Sequence, residues 1–174
     1  MSGQAMLAEQ KAAARAAALA RRAEAAGAGH PDPSAHLRAV LAPHRGRPLA
    51  GFLPMRGEID PVPAMAEAAR HGPVGVPVTP RRGLPLTFRA WSPGCALVTE
   101  RFGTLVPAEG PEVVPEVLIV PLVAFDRRGG RLGYGGGFYD RTLAALRARG
   151  PVLAVGYAWA VQEADALPLE ATDE

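Results

Sequence analysis

From about residue 49 onward, short apolar runs alternate with polar, helix-forming stretches. Residues 49–53, 74–78, 117–120 and 152–157 are mostly apolar and are bounded by Gly, Pro or charged positions, as strands buried on both faces are. Residues 86–91 alternate between apolar and polar, which suits a half-exposed strand. Between the strands lie helical segments over residues 62–71, with Asp60 near the start, and 138–149, ended by Gly150. Asp126-Arg-Arg-Gly-Gly130 reads as a turn. Strands that alternate with helices in this way predict an α/β fold of three layers, a mostly parallel sheet with helices on both faces.

The N-terminal part is different. Residues 5–26 are nearly all good helix formers, with no Gly or Pro until Gly27, and predict one long helix. Its large apolar residues are few (Met6, Leu7, Leu19), so it should cover the body as a thin layer. Residues 27–33 read as a loop, and 34–41 as a short helix with Ser34 at the N-cap. At 174 residues the chain is long enough for one sizeable core and short for two, so a single domain over 1–174 is expected.

Composition narrows the function classes. The longest apolar stretch, residues 113–125, is broken by Pro115, Glu116 and Pro121, so no membrane-spanning segment is expected. Glu9 and Glu24 argue against an N-terminal transit peptide, and the N-terminus is read as mature sequence. One cysteine, Cys95, excludes an internal disulfide and thiolate metal clusters and fits a cytoplasmic location. The net charge of +2 is spread along the chain, which argues against a nucleic-acid partner and leaves small anions open. Of the 19 basic residues all but Lys11 are arginine, so Lys11 stands out. The four histidines have no metal-ligand spacing.

Candidate chemistry concentrates at Arg131-Leu-Gly-Tyr-Gly-Gly-Gly-Phe-Tyr-Asp-Arg141. Gly133, Gly135, Gly136 and Gly137 stand between a buried strand and a helix, where successive backbone N–H groups and the helix terminus can converge on one anion. The spacing fits neither the P-loop, which needs Lys then Ser or Thr after its last Gly, nor the dinucleotide fingerprint, which needs Gly at Phe138. A tight structural turn is the alternative. Asp140, in the first turn of the helix, suits either a hard cation that bridges to phosphate or the helix dipole alone. Arg131 and Arg141 flank the loop as phosphate contacts or as solvated surface groups.

The longer run from Val120 to Leu143 resembles the signature of the 5-formyltetrahydrofolate cyclo-ligase family. Phe52-Leu-Pro-Met-Arg-Gly-Glu-Ile-Asp60 is similar to the family's folate-side segment, and Lys11-Ala-Ala-Ala-Arg15 to its N-terminal nucleotide-binding Lys-x-x-x-Arg. Phe102-Gly-Thr-Leu-Val-Pro107 resembles a family stretch that begins with an aromatic residue. The resemblance implies an architecture like that of phosphosugar isomerases and CoA-transferases. It also implies ATP- and Mg²⁺-dependent conversion of 5-formyltetrahydrofolate, with or without a polyglutamate tail, to 5,10-methenyltetrahydrofolate by a monomer.

The implied roles follow position by position. ATP would be held by Lys11, Arg15 and the loop Gly133, Tyr134, Gly135, Gly136, Gly137, Phe138 and Tyr139, and Mg²⁺ by Asp140 and Asp173. Leu53, Met55 and Glu58 would line the folate site, and Arg131 and Tyr139 would act in catalysis. Tyr134 and Gly136 depart from the family, many of whose members carry Arg or Lys there. That departure keeps a catalytically silent folate- or nucleotide-binding relative in view, and architecture alone leaves a phosphosugar isomerase or CoA-transferase relative as a third reading.

Overall fold

The computed structural model describes residues 3–28 and 32–170. Its helices are α1 (Gly3–Ala26), α2 (Ser34–Leu41), α3 (Val62–Ala68) and α4 (Phe138–Arg147). The strands are β1 (Leu49–Ala50), β2 (Val74–Val78), β3 (Thr87–Ala90), β4 (Leu97–Thr99), β5 (Leu105–Pro107), β6 (Val117–Pro121), β7 (Ala124–Phe125), β8 (Arg131–Leu132) and β9 (Leu153–Tyr157). Five of them form one sheet in the order β3-β2-β1-β6-β9. β1 pairs in parallel with β2 and β6, and β6 with β9, while β3 runs antiparallel along β2. The other four make two antiparallel ribbons, β4-β5 and β7-β8.

Burial explains the layers. Successive strand residues point to opposite faces, so a strand covered on both sides must be apolar throughout. In β6, Val117 and Ile119 pack with Leu37 and Leu41 of α2 and Met65 of α3, whereas Leu118 and Val120 pack with Leu143 and Leu146 of α4. The expected three-layer, mostly parallel α/β fold is therefore present.

Most expected elements are found with shifted ends. Strand 74–78 matches, but β1 keeps only Leu49 and Ala50 of residues 49–53; Gly51 N–H makes one last bond to Gly75 O (3.0 Å) before the chain leaves the sheet. α3 stops at Ala68, and a turn follows in which Gly72 packs so closely on the Gly46 backbone that a Cβ there would lie 2.7 Å from its carbonyl oxygen. α4 ends at Arg147, with Gly150 N–H closing on Leu146 O at 3.2 Å. Ser34 is not the N-cap of α2: Pro33 holds that position, and Asp32 accepts both Ser34 N–H and its hydroxyl, at 3.0 and 2.6 Å. The two ribbons carry no periodic apolar signal long enough to announce them.

α1 is the thin layer expected. Ala18, with Ala14 and Leu19, packs on Val123, Ala124, Leu132 and Leu167. Below it, the turn after β7 is organised by one buried carboxylate: Asp126 accepts the N–H groups of Arg128 (2.9 Å), Gly130 (3.0 Å) and Leu167 (3.2 Å) and pairs with the Arg128 guanidinium at 2.9 Å. Gln162, also buried, donates to Leu122 O and Val123 O at 3.0 and 2.9 Å and accepts Trp159 N–H at 3.0 Å.

Two outcomes follow for stability. Ile119→Ala leaves a void in a fully buried strand and should lower the unfolding free energy by about 3 kcal/mol in urea titration. The second concerns pH. Hydrogen bonding from Arg128, followed by the Gly130 and Leu167 amides, holds the Asp126 carboxyl below the usual carboxylate range. A depressed folded value contributes stability that is present above the unfolded value, about 3.9, and is lost as pH falls through the folded one. Asp126→Asn should therefore melt lower than the parent at neutral pH, with the gap narrowing as melts are taken from about pH 5 to about pH 2.

Candidate active site

The order of the sheet decides where loops meet. From β1 the chain crosses to β2 on one side, and from β6 to β9 on the other, so the carboxyl ends of β1 and β6 form a switch point at which a crevice opens. The loop after β1 carries Leu53, Met55 and Glu58, and the segment after β6 leads through β7 and β8 to the glycine run. The two motifs therefore face one crevice.

The loop after β1 is tightly held. Glu58 folds back on its own turn, accepting Met55 N–H on Oε2 at 3.1 Å while Glu58 N–H bonds Met55 O at 3.0 Å. Arg56 adopts φ 50° and Gly57 φ 78°, left-handed backbone that Gly57 tolerates and Arg56 does not favour. The strained turn is anchored by outside donors: Arg22 Nη2 to Arg56 O at 2.9 Å and Trp159 Nε1 to Gly57 O at 3.0 Å. Leu53 is half-buried against the α2–α3 core, and Met55 is half-buried beside Glu58.

In the glycine run, Gly135 (φ 93°) and Gly137 (φ 63°, the N-cap of α4) take left-handed backbone, and a Cβ on Gly137 would lie 2.7 Å from Arg141 Nη1. Two arginines hold loop carbonyls: Arg15 Nε bonds Gly133 O at 2.8 Å and Arg141 Nη2 bonds Gly136 O at 2.7 Å. In a trans peptide the N–H points opposite the carbonyl, so the amides of Tyr134 and Gly137 are turned away from those arginines. Among the described residues the amides of Tyr134, Gly135, Gly136 and Gly137 donate to no other backbone group. This is the donor set an anion nest requires. Phe138 and Tyr139 pack partly into the α4 core, with Arg141 over the Phe138 ring at 5.3 Å.

The two loops touch. Tyr134 Oη donates to Glu58 Oε1 at 2.9 Å and accepts from Arg22 Nη2 at 2.8 Å, with the Arg22 guanidinium 5.6 Å from the Tyr134 ring centroid. Burial pushes the Glu58 carboxyl up, against the Met55 amide and the Tyr134 hydroxyl, which favour its charged form. Burial, reinforced by the Glu58 charge, also pushes the Tyr139 phenol well above its ordinary value, so it stays a neutral donor.

Arg131 and Asp140, expected in separate roles, form an ion pair at 2.5 Å. Lys11 is buried on α1, its Nζ 2.7 Å from Glu170 Oε1. Asp173 lies outside the described residues. No group of three or more His, Cys, Asp or Glu suited to a metal occurs among the described residues. The Asp140 carboxylate, paired with Arg131 beside the glycine run, is of the type that fits Mg²⁺, which takes one or two carboxylates and completes its shell with water and other oxygens.

Sequence reasoning missed Arg22, Trp159 and Gln162. For Arg22 a signal existed: residues 11, 15, 18 and 22 fall within an arc of roughly 60° on α1, so it shares a stripe with Lys11 and Arg15. Positive charge at the loop accordingly comes from Arg15, Arg22 and Arg141, whose side chains hydrogen-bond Gly133, Tyr134 and Gly136, whereas Lys11 pairs with Glu170.

Comparison with known proteins bears on the family and the fold. The chain is 40% identical over 132 residues to the 5-formyltetrahydrofolate cyclo-ligase of Escherichia coli K12, covering 72% of each chain. Its fold is similar to that of the 5,10-methenyltetrahydrofolate synthetase of Aquifex aeolicus, with TM-score 0.71, 28% identity, and 94% and 85% of the two chains covered. The Mycoplasma pneumoniae 5,10-methenyltetrahydrofolate synthetase has a similar fold at TM-score 0.67 and 20% identity, with 94% and 93% covered. The 5-formyltetrahydrofolate cyclo-ligase family matches residues 5–174, and with the two loops in one crevice the chain belongs to that family.

Proposed function

We propose that the chain converts 5-formyltetrahydrofolate to 5,10-methenyltetrahydrofolate with ATP and Mg²⁺, releasing ADP and phosphate, as one domain over 1–174. The observation that carries this is the meeting of an amide-lined loop with a carboxylate-bearing loop through Tyr134 and Glu58. The names of the relatives support the same reaction. The substrate's formyl oxygen is amide-like and leaves poorly. Phosphoryl transfer from ATP onto that oxygen releases ADP and makes it a phosphate leaving group; attack of N10 on the formyl carbon closes the ring, N10 gives up its proton to solvent, and expulsion of phosphate leaves the methenyl C=N bond.

Such a transfer asks the protein for position and charge neutralisation. The free amides of residues 134–137 and the N-terminus of α4 bind phosphate oxygens, with Lys11, Arg15 and Arg141 adding charge. Glu58 accepts pterin N–H groups on its remaining lone pairs, while Leu53 and Met55 pack on the ring. Tyr139, kept neutral, donates a hydrogen bond toward the reacting oxygen, and Arg131 turns from Asp140 to the transferred group. Asp140, with Asp173, would hold Mg²⁺, which neutralises phosphate charge when bound.

No helix among the described residues is long and apolar enough to cross a membrane, and we place the reaction in the cytoplasm. The silent-relative reading rests on cations missing at Tyr134 and Gly136. Arg22 and Arg141 hydrogen-bond those two residues, which favours the active enzyme.

The purified chain should form the methenyl product, seen by its absorbance, when ATP and Mg²⁺ are both present; ligand binding with no turnover would instead select the silent relative. In the same assay Asp140→Ala should lower kcat/KM roughly a hundredfold and raise the Mg²⁺ concentration needed for half-maximal rate. Glu58→Gln should raise KM for the folate by about tenfold or more, since a charged hydrogen-bond acceptor is worth about 1.5–3 kcal/mol.

A further inference from the structure

We propose that Tyr134 is a positioning residue that couples the two halves of the crevice, so that nucleotide on the glycine loop tightens folate at the Glu58 loop, and the reverse by the same factor. The inference rests on the function proposed above and goes beyond it. Arginine can only donate, so the Arg22 bond fixes Tyr134 Oη as an acceptor and commits its single proton to Glu58. The chain Arg22, Tyr134, Glu58 therefore has one polarity, and each bond strengthens the next. Arg22 also holds Arg56 O, so one guanidinium on a rigid helix grips both loops. It is 2% exposed, and its Nη2 makes both of these contacts at the junction, while Nη1 is buried without a hydrogen-bond partner among the described residues.

The loop is held from outside by Arg15 at Gly133 O and by Arg141 at Gly136 O. Between those two points glycines flank Tyr134 on both sides and the residue is 47% exposed, so its own placement depends on the contacts with Arg22 and Glu58. Ordering such a loop costs conformational entropy. Whichever ligand binds first meets that cost, and the second finds the loop and Glu58 already in place, which is positive cooperativity.

The test is calorimetric titration of 5-formyltetrahydrofolate with and without a non-hydrolysable ATP analogue and Mg²⁺, in the parent and in Tyr134→Phe, together with the reverse titration. The parent should bind folate at least about fivefold more tightly with the analogue present, with the same factor in reverse; in Tyr134→Phe the factor should fall below about twofold. A parent factor near one overturns the proposal. So does a variant that loses affinity for both ligands yet keeps the parent's factor, because that is a structural role only. Absence of binding by either ligand sinks the proposed function as well, whereas turnover with uncoupled binding sinks the coupling alone.

Discussion

Strands β1 and β6 lie side by side in parallel, Leu49 against Val117 and Ala50 against Leu118, and everything at the site depends on that pairing. Parallel neighbours end at the same edge of a sheet, and because these two wind away in opposite directions no crossover covers their carboxyl ends. Residues 58 and 134, separated by 76 positions, come within hydrogen-bond distance for this reason. Antiparallel pairing would send the two loops to opposite ends of the sheet. The burial of β6 on both faces enforces the arrangement, since a shift by one residue would exchange the sets that pack on α2–α3 and on α4.

The N-terminal helix turns the usual logic of an amphipathic element around. Alanine makes it a cheap helix to form, and Ala18 lets it approach β7 and β8 closely. The side chains it buries beside Ala18 are Lys11 and Arg22, both cationic. A buried guanidinium carries a desolvation cost that packing alone does not offset. Here the offsets are the Tyr134 hydroxyl, the Arg56 carbonyl and the charge of Glu58. The helix thus behaves as part of the site in which the core-forming task has been reduced to a few small residues.

What could be read from the chain, and what could not, divides by range. β6, β2, the Asp126–Gly130 turn and α4 announce themselves because apolar runs, glycines and helix formers are local signals. The glycine run could be read as an anion nest from its position between strand and helix, and the resemblance of its neighbours added the family. β1 proved shorter than its apolar run because residues after Ala50 leave the sheet to build a loop, a choice made by tertiary contacts with Arg22 and Trp159. Ser34 looked like a cap, yet Asp32 two residues earlier has the longer reach and the charge, and it takes both Ser34 donors. The Arg22–Tyr134 contact spans 112 positions, and no local pattern reports a hydrogen bond of that range.

Moving a cation from the loop to a helix changes what holds it. An arginine or lysine on a glycine-rich loop brings charge that moves with the loop, and its field must be reorganised whenever the loop shifts. A guanidinium fixed on α1 keeps its place, and preorganised charge is what phosphoryl transfer rewards. The dependence then passes outward, because α1 is itself docked by Arg21, whose Nε bonds Val161 O at 2.6 Å in the Ala160–Gln162 turn. That turn is fastened by Gln162 to the carbonyls of Leu122 and Val123, at the end of β6. The strand that leads toward the glycine loop therefore also anchors, by a second route, the helix whose arginines contact that loop, so loop and cations are referred to one rigid element.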